Sequence, residues 1–261
     1  MKTRRIAEDG VAGVNGEARE RMIRSRGDPL FLADWQRAVF LHYEVDSELL
    51  AEAVPFDLDL WEGNRAIVTL VAFTMEGMRP RWGGKAGKWL FAPIGTHDFL
   101  NVRTYVRHGS ERGIFFIREW LSKRLSVPLG SWSFGLPYRY GATRYEHEIG
   151  MGRWIRGQVC GSGRHLSYEA GSPRADELAP VDEGTMAAFL LERYSAYTCF
   201  GRIRRRFRVW HEPWERAAVA VNVREDSLLR GLGDWALGAS FVGADVSPGV
   251  RGVWMGWPRR V

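Results

Sequence analysis

HYEVDSELLAEAVPFDLDL, residues 42–60, holds a strand ending, a helix start and a helix stop within nineteen positions. Its first residues complete an alternating apolar stretch, 37–45 (RAVFLHYEV), which suits a strand. Asp46 follows where an N-cap belongs, because its carboxylate can accept hydrogen bonds from first-turn amides. Residues 47–54 carry helical apolar spacing, and Pro55 stops the helix by removing a donor and crowding the preceding turn. Beyond it, 58–61, the turn EGNR (62–65) and 66–73 (AIVTLVAF) read as a hairpin.

The same punctuation recurs along the chain. Residues 100–107 and 113–118 make a second hairpin closed by HGSE, and strands are expected over 138–147, 153–160, 165–169 and 203–211. A short helix is expected over 119–125 and a longer one over 182–194. Residues 76–88 form a glycine-rich loop, read as a mobile cover over a pocket mouth. Residues 1–28 are polar, glycine-bearing and aperiodic (EDGVAGVNGEARER), so a flexible tail is expected, followed by one domain over 29–261. Many strands, two or three helices and no βαβ alternation point to an α+β fold, mainly β, with a closed or strongly curved antiparallel sheet.

The chain has 261 residues, 45% hydrophobic and 26% charged, as expected of a globular protein with a substantial core. Its longest apolar runs, 66–73 and 186–191, fall far short of the roughly 20 residues that cross a bilayer. No apolar signal region follows MKTRR, and Cys160 and Cys199 lack paired spacing, so a reduced, cytoplasmic protein with no membrane partner is expected. The net charge of +6 is carried mostly by arginine, with only four lysines: Lys2, Lys85, Lys88 and Lys123.

Several short motifs resemble one superfamily. The 42–60 stretch is similar to the opening motif of acetoacetate decarboxylase-like proteins. LNVRTYV (100–106), GLPYR (135–139), LERY (191–194), HEPW (211–214) and DVSPGV (245–250) resemble its YqjF-like branch, a bacterial domain of unknown function. The resemblance implies a cone-like β-barrel with an internal pocket. It also implies a position for the imine-forming lysine pair of the decarboxylases, and that position is occupied here by Tyr138 and Arg139. The family's substrate-facing arginine falls near Gln36, beside Arg37. Its glutamate should lie within 67–73, where this chain has no carboxylate. A glutamate frequent in the YqjF-like branch is replaced by Phe99, next to Asp98. Arginine stays protonated and cannot form an imine, so lysine-imine decarboxylation is not expected.

If 100–106 is a strand, alternation places Asn101, Arg103 and Tyr105 on one face. Arg103 could then hold a carboxylate through its forked donors, and Tyr105 or Tyr138 could serve as an acid. The expected ligand set is Arg103, Asn101, Tyr105, Tyr138, Arg139 and Arg37, with Tyr138 and Tyr105 as catalytic candidates. The competing reading is a buried structural network with Arg103 at its centre. RIRRRFR (202–208) puts Arg202, Arg204, Arg206 and Arg208 on one face, near Trp210 and Trp214. Nucleic acid is the disfavoured reading of that strand, a solvated charged face the favoured one. The six histidines lack HxH or HExxH spacing, so no metal is expected, and no cofactor. A small organic ligand is the expected partner. A lysine-independent lyase, hydratase or isomerase is the enzymatic alternative, and self-association is left open.

Overall fold

The fold was obtained as a computed structural model, which describes residues 11–261. The strand expected at 37–45 begins earlier: β1 runs Phe31–Val45. Both of its faces are buried in the second half, with Phe40 and His42 on one side and Leu41 and Tyr43 on the other. Asp46 caps α2 (Ser47–Ala53), its Oδ1 accepting the amides of Glu48 at 2.9 Å and Leu49 at 3.0 Å. The short β2 (Asp57–Leu58) follows, then β3 (Ala66–Pro80), α3 (Gly84–Phe91), β4 (His97–His108) and β5 (Glu111–Leu121).

After β5 come α4 (Ser126–Phe134), β6 (Tyr138–Tyr140), β7 (Ala142–His147), β8 (Trp154–Gly161) and β9 (Arg164–Gly171). The chain continues through β10 (Ala179–Pro180), α5 (Met186–Leu191), β11 (Ser195–Phe200), β12 (Ile203–Trp210), β13 (Glu215–Ala218) and β14 (Val221–Glu225). It ends with α6 (Ser227–Arg230), α7 (Asp234–Leu237), β15 (Ser240–Met255) and β16 (Arg259–Arg260). A helix, α1 (Val11–Arg24), precedes them all.

Seven strands close into a ring in the order β15-β1-β3-β4-β5-β11-β12, because β12 returns to β15 through Val209↔Met255 and Trp210↔Trp254. The strongly curved sheet is therefore present, and its inner face holds Phe40, Ile67, Val71, Tyr105, Ile114 and Val253. A second sheet, β14-β9-β8-β7, joins α2, α6 and α7 in covering the outer face around Tyr43, Leu70, Val102, Tyr168 and Trp235. Strands buried on both faces explain why AIVTLVAF reads as a continuous apolar run. Among the described residues, no helix is long and apolar enough to cross a membrane.

Several sequence expectations need correction. Residues 11–24 of the supposed tail are helical; residues 1–10 lie outside the described part. The helix is held by its docking, for Asn15 Nδ2 donates to Tyr194 Oη at 2.9 Å and to the His211 carbonyl at 2.6 Å. Its Ala18 and Met22 pack on Trp210 beside Trp254, so α1 lies across the seam where the ring closes. The 58–73 hairpin forms only at its EGNR turn, where Trp61 bridges Arg65, and the strand before it does not pair along β3. β2 pairs with β4 instead, drawn there by Asp59, which receives Arg107, Arg112 and Arg193.

Residues 119–121 continue β5, and the helix starts at Ser126. The glycine-rich stretch is the end of β3 followed by α3. The long helix shrinks to α5, capped by Thr185 Oγ1 accepting from Ala188 N–H at 3.2 Å. The ring is not wholly antiparallel either, because β11 runs parallel to β5. The 138–147 strand is split into β6 and β7, which belong to different sheets. β15 went unread because Gly243, Pro248, Gly249 and Gly252 interrupt its pattern. Gly249 has φ +115°, and a Cβ there would lie 2.1 Å from the Trp35 carbonyl, so glycine alone fits this crossing.

Candidate functional site

The alternation of β4 holds through its whole length, and His97, Phe99, Asn101 and Arg103 line a cavity of about 310 Å³ inside the ring. The adjoining wall comes from β5, where strict alternation fails. Val102 pairs with Arg118, but Arg103 pairs with Phe116, so Ile117 is an extra residue. That bulge turns both Phe116 and Glu119 inward. Glu119 sits opposite Asn101 on one side and Tyr138 of β6 on the other. Tyr138 in turn packs on α4, where a Cβ at Gly130 would meet its ring at 2.1 Å. The rest of the chamber is mostly aromatic and aliphatic, including Phe31, Trp35, Phe73, Phe207 and Trp214, with Arg193, His211 and three serines among them.

Several polar atoms buried around this chamber lack hydrogen-bond partners, among them Asn101 Oδ1, Arg103 Nε, Glu119 Oε2, Ser126 Oγ and Arg193 Nη2. Arg103 donates through Nη2 to the Leu190 carbonyl at 3.2 Å and stands 5.8 Å from the Phe40 ring centroid. No described carboxylate forms an ion pair with it. Burial raises the pKa of Glu119 well above the ordinary carboxylate value, and no cation offsets this. Burial likewise raises Tyr138, with the nearby Glu119 charge adding to the effect.

Burial pushes His97 down to about 4, helped by Lys123. It also lowers His211, and Arg103 contributes to that lowering. The histidines therefore stay neutral near pH 7, and Glu119 resists ionisation; of the two arginines that border the cavity, Arg193 is paired with Asp59, which leaves Arg103 as the cation without a described carboxylate partner.

Of the six residues expected to bind ligand, Asn101, Arg103 and Tyr138 border the cavity. Tyr105 shares their face but lies deeper, fully buried. Its hydroxyl meets Thr69 Oγ1 at 2.7 Å; Thr69 reaches His42 Nδ1 at 3.0 Å, and His42 Nε2 donates to Asp245 Oδ2 at 3.0 Å. Arg216 completes this network on Asp245 Oδ1 at 2.9 Å. Tyr105 is thus a structural link and not a group exposed to a ligand. Arg139 points to solvent, because successive residues of β6 face opposite ways.

Arg37 occupies a β1 bulge at φ 55°, exposed and paired with Glu76 at 2.8 Å. Its carbonyl accepts from His147 Nδ1 at 2.8 Å, so the segment is structural. Glu119 is the residue that sequence reasoning missed, having been assigned to a helix. The arginines of 202–208 are largely engaged within the chain: Arg205 bonds the Ser133 carbonyl, Arg206 pairs with Glu111, and Arg208 bonds Ser25 and Arg21.

Known proteins share this fold. YqjF of Bacillus subtilis (strain 168), an uncharacterized protein, is 25% identical over 203 residues, which cover 74% of this chain and 79% of YqjF. An acetoacetate decarboxylase-like enzyme from Sphingomonas wittichii RW1 superposes with TM-score 0.65 at 14% identity, over 90% of this chain and 94% of its own. The enduracididine biosynthesis enzyme MppR, complexed with pyruvate, gives TM-score 0.61 at 14% identity, over 89% of this chain and 90% of its own. At such identities the solved structures establish the shared fold alone. The family DUF2071, described as an uncharacterized conserved protein, matches residues 32–240, and the chain belongs to it.

Proposed function

We propose that the ring cavity binds a small organic carboxylate or oxo acid, with Arg103 and Asn101 at its charged end. The observation that carries this reading is the set of unpartnered polar atoms on Asn101, Arg103 and Glu119, which face one another across paired strands inside a mainly apolar chamber. A buried guanidinium without an anion is costly, and a ligand carboxylate supplies both the charge and the acceptors. The neutral Glu119 carboxyl then donates to a second oxygen of the ligand. Pyruvate bound to MppR, a protein of the same fold, is consistent with this ligand class.

Among the described residues no lysine lines the cavity, so the reading excludes an imine mechanism. Borohydride reduction in the presence of acetoacetate should leave the protein mass unchanged. A stable adduct on any lysine would overturn that exclusion.

The main test is thermal stability against a panel of carboxylates, oxo acids and phosphates. A ligand at one hundred times its dissociation constant adds about 2.7 kcal/mol, a shift of several degrees for a protein of this size. The shift should vanish in Arg103→Ala. A shift that survives in a folded Arg103→Ala protein would remove Arg103 from the site. A second reading, turnover without lysine, is favoured specifically by Glu119. A carboxyl kept protonated beside a bound oxygen is a general acid, and a hydratase, isomerase or lyase step could use it.

A further inference from the structure

The mouth of the cavity is built by α3 and α4, which stand together. Phe31 lies between Phe91 and Phe134, at centroid distances of 5.4 and 6.0 Å, and Lys123 Nζ donates to the Pro93 carbonyl at 2.8 Å. These two segments present large apolar side chains to solvent. Trp82 is 66% exposed, Trp89 80% and Trp132 82%, with Leu90, Leu125 and Leu129 exposed beside them. Patches of this kind mark interaction surfaces.

Their charge is one-sided. Residues 77–97 contain Arg79, Arg81, Lys85 and Lys88 but no aspartate or glutamate, and residues 120–134 contain Lys123 and Arg124 but no acid. Arg81, Lys85, Lys88 and Arg124 are exposed, and Arg81 lies over the Trp82 ring at 4.9 Å.

We propose that this face docks onto an anionic lipid bilayer and places the cavity mouth at the headgroup level. Tryptophan prefers that interface, leucine side chains enter the acyl boundary, and lysine and arginine are attracted to anionic headgroups. Surface docking needs no membrane-spanning helix. A second copy of the chain fits less well, because a twofold contact would set this cationic patch against itself. Nucleic acid matches the cations and tryptophans, but it offers nothing to Leu90, Leu125 and Leu129, which do not stack on bases.

The test is co-sedimentation with vesicles of phosphatidylcholine alone and of phosphatidylcholine mixed with phosphatidylglycerol. The protein should sediment with the anionic vesicles, and less so as salt rises. Lys85→Glu/Lys88→Glu should weaken that binding by roughly fivefold or more for each cation changed. Trp89→Ser/Leu90→Ser should abolish it. Neither pair lines the cavity, so the thermal shift given by a cavity ligand should persist in both variants. Failure here is thereby separated from failure of the ligand reading. Absence of sedimentation with anionic vesicles at low salt overturns the proposal. Self-association abolished by Trp89→Ser/Leu90→Ser without vesicle binding overturns it in favour of a second copy. Retention on DNA without vesicle binding overturns it in favour of nucleic acid.

Discussion

Asp59→Ala should lower stability by about 3–5 kcal/mol, read as an earlier midpoint in urea unfolding with unchanged slope. The Asp59 side chain is fully shielded from solvent and receives three arginines, at 2.6 Å from Arg107, 2.7 Å from Arg112 and 2.8 Å from Arg193. Burial alone would raise its pKa, but the three guanidiniums outweigh burial and hold it below the ordinary value.

The partners differ in what they lose. Arg107 and Arg112 are half exposed and can turn to water. Arg193 is 4% exposed, and burial has already brought its pKa down to about 10 against the pull of Asp59. Without Asp59 it becomes a buried, uncompensated charge. Replacing it too, in Asp59→Ala/Arg193→Met, should recover much of the loss, since an apolar side chain of similar length asks for no counter-ion. A single-variant loss below about 1 kcal/mol would show that Arg193 reaches solvent when released.

Glu119→Gln should have the opposite effect, growing as pH rises above about 4.5. The folded-state pKa of Glu119 is raised well above its ordinary value of 4.5. Its contribution to stability is complete below 4.5 and is lost as pH rises toward the raised folded value. Each unit of separation is worth about 1.4 kcal/mol. Melting temperatures of wild type and Glu119→Gln should therefore agree near pH 4 and separate by several degrees near pH 9, with the variant higher. Parallel profiles would mean that Glu119 ionises freely in the folded protein.

In the enzymatic reading the same variant has a second signature. Glutamine keeps a donor but has no transferable proton. Glu119→Gln should still bind the ligands that Arg103→Ala rejects, while turning none of them over. Retained turnover would return Glu119 to a purely structural place.

The fold was largely legible because its central strands are buried on both faces and its first helix carries its own cap and stop. HYEV, Asp46 and Pro55 do in three dimensions what their spacing implies. Strict alternation also placed Asn101 and Arg103 on one face of β4. The unread parts depend on distant partners. Glu119 faces the cavity only because one extra residue at Ile117 flips the parity of β5. The helix at 11–24 has glycines and no strong apolar stripe, and its order comes from Trp210 and His211, nearly two hundred residues away. Tyr105 had the right face but the wrong depth, and a one-dimensional pattern has no measure of depth. Arg37 and Arg139 were carried by resemblance to positions that a bulge and a reversed face direct outward.

The helix α1 across the seam also sets an order of events. During synthesis it is made before any strand of the ring, yet the surface it grips is among the last to exist. Asn15 waits for His211, 196 positions later, and Met22 packs in the same cluster as Trp210. Contacts of such long range reward the chain only after the intervening loop has closed, which makes their formation late and slow. Until then Trp210 and Trp254 stand uncovered on the seam, an apolar patch open to contact with another chain. A helix made ahead of the ring thus serves as its final fastener, and a newly made molecule is at its most vulnerable in the interval between the completion of β15 and the return of α1 to cover it.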